Sequence, residues 1–262
     1  MNKNKMYDHF SNSYDRFVNW DSRLSAELPF LSSELNKLSS QTKQTISVLD
    51  AACGTGRHVI ALVNQGFNCS GADYSSGMIK IARENAKKWG LEVPFKEAGF
   101  GELTDAFEEN EFDGLICLGN SLPHILEEQA MQQSLNDFRQ VLKTGGKLII
   151  QNRNFDRIVK ERIRWMPAQT YREGDQTWIF TRFYDFEADG RLTFNIMVLH
   201  SSDNSEFDQE ILSTRLWPIQ KDQLLELLKE SGFEDFACYG NLEGDEFVSN
   251  LSDNLVVTAR AI

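Results

Sequence analysis

The chain has 262 residues, 41% hydrophobic and 25% charged, the proportions of a globular protein able to bury a core. Its 27 Lys and Arg stand against 39 Asp and Glu, a formal charge of −12. That balance argues against a non-specific nucleic-acid surface and against adhesion to an anionic membrane, since both need a cationic face. There is no apolar run of about 18 residues, and the opening MNKNKMYDHFSNSYD lacks the apolar stretch of a secretion signal. Cys53, Cys69, Cys117 and Cys238 are widely spaced, and His9, His58, His124 and His200 show no ligand-like pairing. Neither a disulfide framework nor a metal site is expected, and the expected compartment is the cytoplasm.

Residues 1–45 read as helical, with Asp8, Ser11 and Ser13 as capping residues and Phe10, Tyr14, Phe17 and Val18 at helical spacing. Leu24, Leu28, Leu31, Leu35 and Leu38 continue as one stripe. At Ile46 the pattern changes. ISVLDAACGTG is a short apolar run ending in an acid and then small residues, as a buried parallel strand entering a tight loop does. RHVIALVNQG predicts an amphipathic helix closed by Gly66, and FNCSGADYS a second strand ending at Asp73. MIKIARENAKKWG predicts a helix stopped by Gly90, and VPFKEAG a third short strand. EFDGLICLGN predicts a fourth strand, 127–142 a helix and KLIIQNRN a fifth strand. Such alternation predicts a parallel sheet covered on both faces, with right-handed crossovers.

After Asn154 the rhythm breaks. QTWIFTRFYDFE, RLTFNIMVLHSS and FDQEILSTRLWP are aromatic and β-branched runs, the first two joined by the turn signal Ala188-Asp189-Gly190. They predict a small antiparallel insertion. A leucine-rich helix over 221–230 and the strands GFEDFACYG and NLVVTARAI close the chain.

The chemistry lies in Val48-Leu49-Asp50-Ala51-Ala52-Cys53-Gly54-Thr55-Gly56. Small residues after a strand let the backbone pass close to a ligand. A nicotinamide fingerprint has a third glycine where this chain has Val59. Asp50, just before the loop, repels a pyrophosphate and suits a ligand with an ammonium or sulfonium group. Asp73 falls at the end of the second strand, where an acid accepts bonds from both hydroxyls of a ribose.

This stretch resembles the class I S-adenosylmethionine-dependent methyltransferases, over roughly residues 46–154 and the closing strands. Ile116-Cys117-Leu118-Gly119-Asn120-Ser121-Leu122-Pro123-His124 and Asn152-Arg153-Asn154-Phe155-Asp156 resemble, more narrowly, the glycine and glycine/sarcosine N-methyltransferases. The resemblance implies an α/β fold: a Rossmann-like, seven-stranded, mainly parallel sheet with helices on both faces and an antiparallel last strand, over 46–154 and 218–262. It further implies a helical lid over 1–45 and a small antiparallel β cap forming the acceptor side over 155–217.

The implied cofactor is S-adenosyl-L-methionine, with S-adenosyl-L-homocysteine as product. Ala52, Gly54 and Gly56 would cradle its methionine part, with Asp50 near the amino group and Leu118 lining that end. Asp73 would hold the ribose, and Tyr74 and Met78 would border the adenine. Gly99 and Phe100 fall at the adenine edge, Gly99 standing where the family has Asn or Asp. The candidate catalytic residues are Tyr14, His124 and Asn154. The candidate acceptor-binding residues are Tyr7, Asn154, Arg153 and Arg215. Aligned on Pro218, the family's carboxylate-binding arginine falls at Ser213, and Arg215 shares that strand face. Arg153 and Arg182 are other substitutes.

The expected activity is in-line methyl transfer to a small amine such as glycine or sarcosine. A heterocycle or phenol acceptor, or a non-catalytic cofactor-binding subunit, are the alternatives, while Val59 and Asp50 argue against a nicotinamide oxidoreductase. The expected partner is a small-molecule acceptor, with neither nucleic acid nor membrane; self-association into a homo-oligomer is left open.

Overall fold

A computed structural model describes residues 14–39, 45–202 and 206–262. Tyr7, with Asp8, Phe10, Ser11 and Ser13, lies outside the described residues. A seven-stranded sheet is built from β1 (Ser47–Asp50), β2 (Asn68–Asp73), β3 (Phe95–Glu97), β4 (Phe112–Cys117), β5 (Leu142–Arg153) and the two closing strands, β10 (Phe233–Tyr239) and β11 (Asn254–Ala261). Its order is β10-β11-β5-β4-β1-β2-β3. The pairs β1–β2, β1–β4, β2–β3 and β4–β5 are parallel, and β11 runs antiparallel to both β5 and β10. The carboxyl ends of β1 to β5 therefore open on one edge, where ligands of such sheets sit. Val48, Leu49, Leu115, Ile116 and Cys117 are all buried, because a strand covered on both faces has no polar side.

One face is covered by α5 (Glu128–Val141) and α7 (Lys221–Glu230), through Met131, Leu135, Phe138, Leu224 and Leu228. The other is covered by α1 (Trp20–Ser39), α2 (Arg57–Asn64) and α3 (Ser76–Lys88). Leu31 and Leu35 of α1 are fully buried there, and a Cβ on Gly114 of β4 would fall 2.6 Å from Leu35 Cδ2. Burial of each such leucine contributes about 2 kcal/mol. Helix α1 is thus a wall of the sheet unit. Its packing joins residues 20–39, expected within a lid over 1–45, to the sheet unit.

The insertion is a separate antiparallel sheet of four strands, in the order β6 (Gln169–Glu173), β7 (Gln176–Phe186), β8 (Leu192–Ser202), β9 (Asp208–Leu216). Three were expected. The fourth, β6, is a polar edge strand that pairs, among the described residues, with β7. Between β5 and β6 lies α6 (Phe155–Glu161), whose Phe155 and Ile158 pack on Tyr184, Leu192 and Leu216. The short helix α4 (Leu103–Ala106) follows β3. No helix among the described residues is long and apolar enough to cross a membrane.

Candidate active site

Asp50, 3% exposed, closes β1. Its Oδ1 accepts a long hydrogen bond from Ala52 N–H at 3.4 Å. Burial pushes its carboxyl up to about 7, with the neighbouring Asp73 charge in the same direction and Arg23 opposing. Gly54 and Gly56 hold φ of 52° and 76°, the left-handed region that glycine enters without a Cβ penalty. Asp73, 8% exposed at the end of β2, accepts from Gly54 N–H through Oδ2 and from Ser75 N–H through Oδ1, both at 2.9 Å. One carboxylate thereby fixes the glycine loop and the start of α3, where Ser75 Oγ caps Met78 N–H at 3.1 Å. Cys53 is buried in the loop, and burial pushes its thiol well above the ordinary value, so it serves as a small residue.

The segment before α1 is tied to this loop by Asp15, which sequence reasoning missed. Its Oδ1 accepts from Thr55 Oγ1 at 2.7 Å and Trp20 Nε1 at 2.9 Å; its Oδ2 accepts from Arg57 Nε at 3.2 Å and Asn85 Nδ2 at 3.3 Å. Burial pushes Asp15 up, but these bonds outweigh it and hold the carboxyl below its usual range. Asp15 and Arg23 carried no signal in the sequence, being charges among others, Arg16 and Asp21, in an amphipathic helical stretch. Tyr14 thereby lies against the loop, its Cε1 3.9 Å from where a Cβ on Gly54 would stand. Burial raises its phenol pKa, keeping it neutral. Arg23, also missed, has its terminal nitrogen 3.8 Å from the Cβ position of Gly119, across the edge from Asp50. Its Nε donates to Glu27 at 3.0 Å, and Glu27 meets His58 Nε2 at 2.6 Å, which locks α1 to α2.

Tyr74 and Gly99 are neighbours, with the Gly99 Cβ position 3.3 Å from Tyr74 Cβ. Gly99 N–H donates to Glu102 Oε2 at 2.8 Å, and a Cβ there would stand 3.2 Å from that oxygen. Phe100 packs edge-on against Phe138, with centroids 5.7 Å apart, so part of its ring belongs to the core. Met78 and Leu118 are buried. The edge therefore gathers Tyr14, Asp50, Ala52, Gly54, Gly56, Asp73, Tyr74, Met78, Gly99 and Leu118. His124 ends a 3₁₀ turn, Leu122–His124, and burial pushes it down to about 4, a neutral imidazole that supplies no charge near neutral pH.

Two of the expected acceptor residues have partners within the fold. Asn154, 1% exposed, is the N-cap of α6: its Oδ1 accepts from Arg157 N–H at 3.3 Å, and Nδ2 donates to the carbonyls of Ser249 and Ser252 at 2.8 and 2.9 Å. Its amide is occupied by the fold. Arg215 sits on the outer face of the small sheet. Pairing of Arg182 with Ile196, Ile196 with Leu212 and Phe194 with Thr214 puts those residues on the inner face, and leaves Phe183, Asn195, Ser213 and Arg215 on the other. Arg215 ion-pairs there with Asp189. Arg153, at the carboxyl end of β5, does face the edge. Its backbone N–H donates to Asn120 Oδ1 at 2.8 Å, its guanidinium reaches Asn254 Oδ1 at 3.1 Å, and its buried Nε has no partner. Asn152, fully buried beside it in the chain, has neither amide atom hydrogen-bonded.

Residues 48–146 match the profile of a family described as a methyltransferase domain. The chain is 32% identical, over 245 residues, to a glycine/sarcosine N-methyltransferase of Aphanothece halophytica, a match covering 90% of this chain and 85% of that protein. Among solved structures, an S-adenosylmethionine-dependent methyltransferase from Clostridium acetobutylicum is similar with a TM-score of 0.76 at 16% identity, over 97% of this chain and 98% of that one. An amino pentose methyltransferase from Micromonospora echinaspora, solved with S-adenosylmethionine bound, is similar with a TM-score of 0.67 at 14% identity, over 97% and 96%.

Proposed function

Because the chain belongs to the class I S-adenosylmethionine-dependent methyltransferases, we propose that it methylates the nitrogen of a small amine of the glycine and sarcosine type. The observation that carries this reading is the meeting, on one sheet edge, of two buried acids and a glycine loop with the partly unpartnered guanidinium of Arg153. The residues present fit S-adenosyl-L-methionine. Gly54 and Gly56 keep the loop free of side chains, Asp50 is a buried acid with one weak bond, and Asp73 is a buried acid at the end of the neighbouring strand.

When bound, the cofactor supplies an electrophilic methyl carbon on a sulfonium. Asp50 would face its ammonium, Arg23 its carboxylate and Asp73 its ribose, while Tyr74 and Met78 would flank the adenine. Arg153 holds the acceptor's carboxylate and so aims the amine at the methyl carbon. The bound group would supply the methyl carbon and keep the S–C electron pair on its sulfur, and the acceptor nitrogen would lose its surplus proton to water. A neutral amine needs alignment more than a base, with reacting atoms near about 3–3.5 Å, and a neutral His124 is compatible with that. Ser213 no longer weighs against a carboxylate acceptor, since it faces outward.

Incubation with methyl-labelled cofactor should put label into glycine or sarcosine. Label in a heterocycle or phenol, and in no amine, would overturn the reading. Asp50 adds a pH test. Its folded pKa of about 7 lies above the ordinary 3.8, so between those values the free protein holds a proton there. An ammonium ligand needs the carboxylate, so binding releases that proton. Cofactor affinity should therefore rise with pH up to about 7, by at most about tenfold per unit, and level off above. Calorimetry across pH 5.5–8.5 checks this, and a flat profile removes Asp50 as the ammonium partner.

A further inference from the structure

Arg182 lies on the inner face of β7 between Phe180 and Tyr184, 0% and 2% exposed. Its guanidinium carbon is 5.0 Å from the Phe17 ring centroid. Its Nε is buried without a hydrogen bond, as is that of Arg153. Neither guanidinium forms an ion pair among the described residues; Arg153 meets only the neutral amide of Asn254. Arg23, Arg57 and Arg157, by contrast, each meet a carboxylate. Burial and the neighbouring Arg153 charge both disfavour the charged form of Arg182. Tyr184 feels both cations, yet burial pushes its phenol up to about 12, so it is neutral and balances neither.

Both side chains are part-buried, each with a buried Nε lacking a partner, although buried polar groups are normally partnered and an unbalanced, desolvated charge is destabilising. Two adjacent ones are accounted for when their counter-ion arrives with the ligand. One carboxylate neutralises one guanidinium; balancing both takes two negative charges. We infer that Arg182 is a second acceptor-binding arginine and that, with Arg153, it selects amines whose acidic part is doubly charged, an amino dicarboxylate or an aminophosphonate, over glycine and sarcosine. This rests on the N-methyltransferase reading and narrows its substrate class.

The test titrates the full chain, saturated with S-adenosyl-L-homocysteine, with malonate, methylphosphonate and acetate at pH 8.5, where the first two are dianions. At least one dianion should bind about tenfold or more tighter than acetate, and the one that does separates the dicarboxylate from the phosphonate source. Arg182→Gln should collapse that ratio to about threefold or less, while Arg182→Lys, which keeps the charge, should retain more of it; thermal melting confirms that both are folded. Equal binding of acetate and both dianions, or a ratio unmoved by Arg182→Gln, overturns the inference. In parallel, labelled methyl transfer compares aspartate and aminomethylphosphonate with glycine. Efficient methylation of glycine with a flat dianion ratio sinks the two-arginine clamp alone. A steep ratio with no amine methylated sinks the N-methylation reading and leaves the clamp standing.

Discussion

Asp73→Ala should weaken S-adenosyl-L-homocysteine binding by about a hundredfold or more, since hydrogen bonds to a charged acceptor contribute about 1.5–3 kcal/mol each and a ribose offers two. The loss has a second source. Asp73 is the acceptor for Gly54 N–H and Ser75 N–H, each at 2.9 Å, so its removal also loosens the loop on which the methionine part rests. Asp73→Asn separates the two. It keeps one acceptor oxygen and nearly the same shape, so it should lose about tenfold, with a smaller drop in melting temperature. Calorimetric titration of both variants reads the affinities. If Asp73→Ala lowers the melting temperature and leaves affinity unchanged, the carboxylate is only a staple for the loop, and the ribose lies elsewhere.

The sheet that carries Asp73 was legible because strands such as β1 and β4 are short apolar runs, followed closely by an acid or a glycine, with amphipathic helices between. Val48-Leu49-Asp50 and the glycines after it mark both a strand end and a ligand edge, and the structure puts them on one line with Asp73. The small sheet was less legible. Strand β6, Gln-Thr-Tyr-Arg-Glu, pairs, among the described residues, with β7 and has no buried face, so no apolar alternation announces it. That Arg215 takes the outer face was not legible, because side chains alternate across a strand and the face is set by register, which composition does not reveal. Counting back from Pro218 found the right strand, but only the pairing of Asn195 with Ser213 shows which way that face points. Asn154 was ambiguous for another reason. A short amide that caps a helix and one that grips a carboxylate look alike until the N–H of Arg157 is seen to fill the oxygen. Arg153 and Arg182 belong to different sheets, and nothing local in either stretch tells of the other.

Gly56→Ala should be the most destabilising single substitution in the cofactor loop, by about 2–5 kcal/mol. Two effects combine. The residue holds φ 76°, where an L-residue is strained by about 1–2 kcal/mol. Its new Cβ would also stand 2.8 Å from Phe95 Cζ and 3.0 Å from Ala82 Cβ, an overpacking that costs about 1–3 kcal/mol. Phe95 has little room to yield, because a Cβ on Gly71 would itself fall 2.7 Å from Phe95 Cδ1, so the ring already lies flush on a second glycine. Gly66→Ala is the control. It carries the same kind of strain at φ 95° with nothing within 4 Å of the new methyl, and should cost only about 1–2 kcal/mol. The difference between the two, read from urea midpoints with unchanged slopes, isolates the contact with Phe95. Since domains of this kind hold only about 5–15 kcal/mol in reserve, Gly56→Ala should also reduce the yield of folded protein, and cofactor binding should fall as the loop shifts away from the steric conflict. Equal losses for the two variants would mean that Phe95 gives way, and that the loop takes its shape from Asp73 and Asp15 instead of from the packing beneath it.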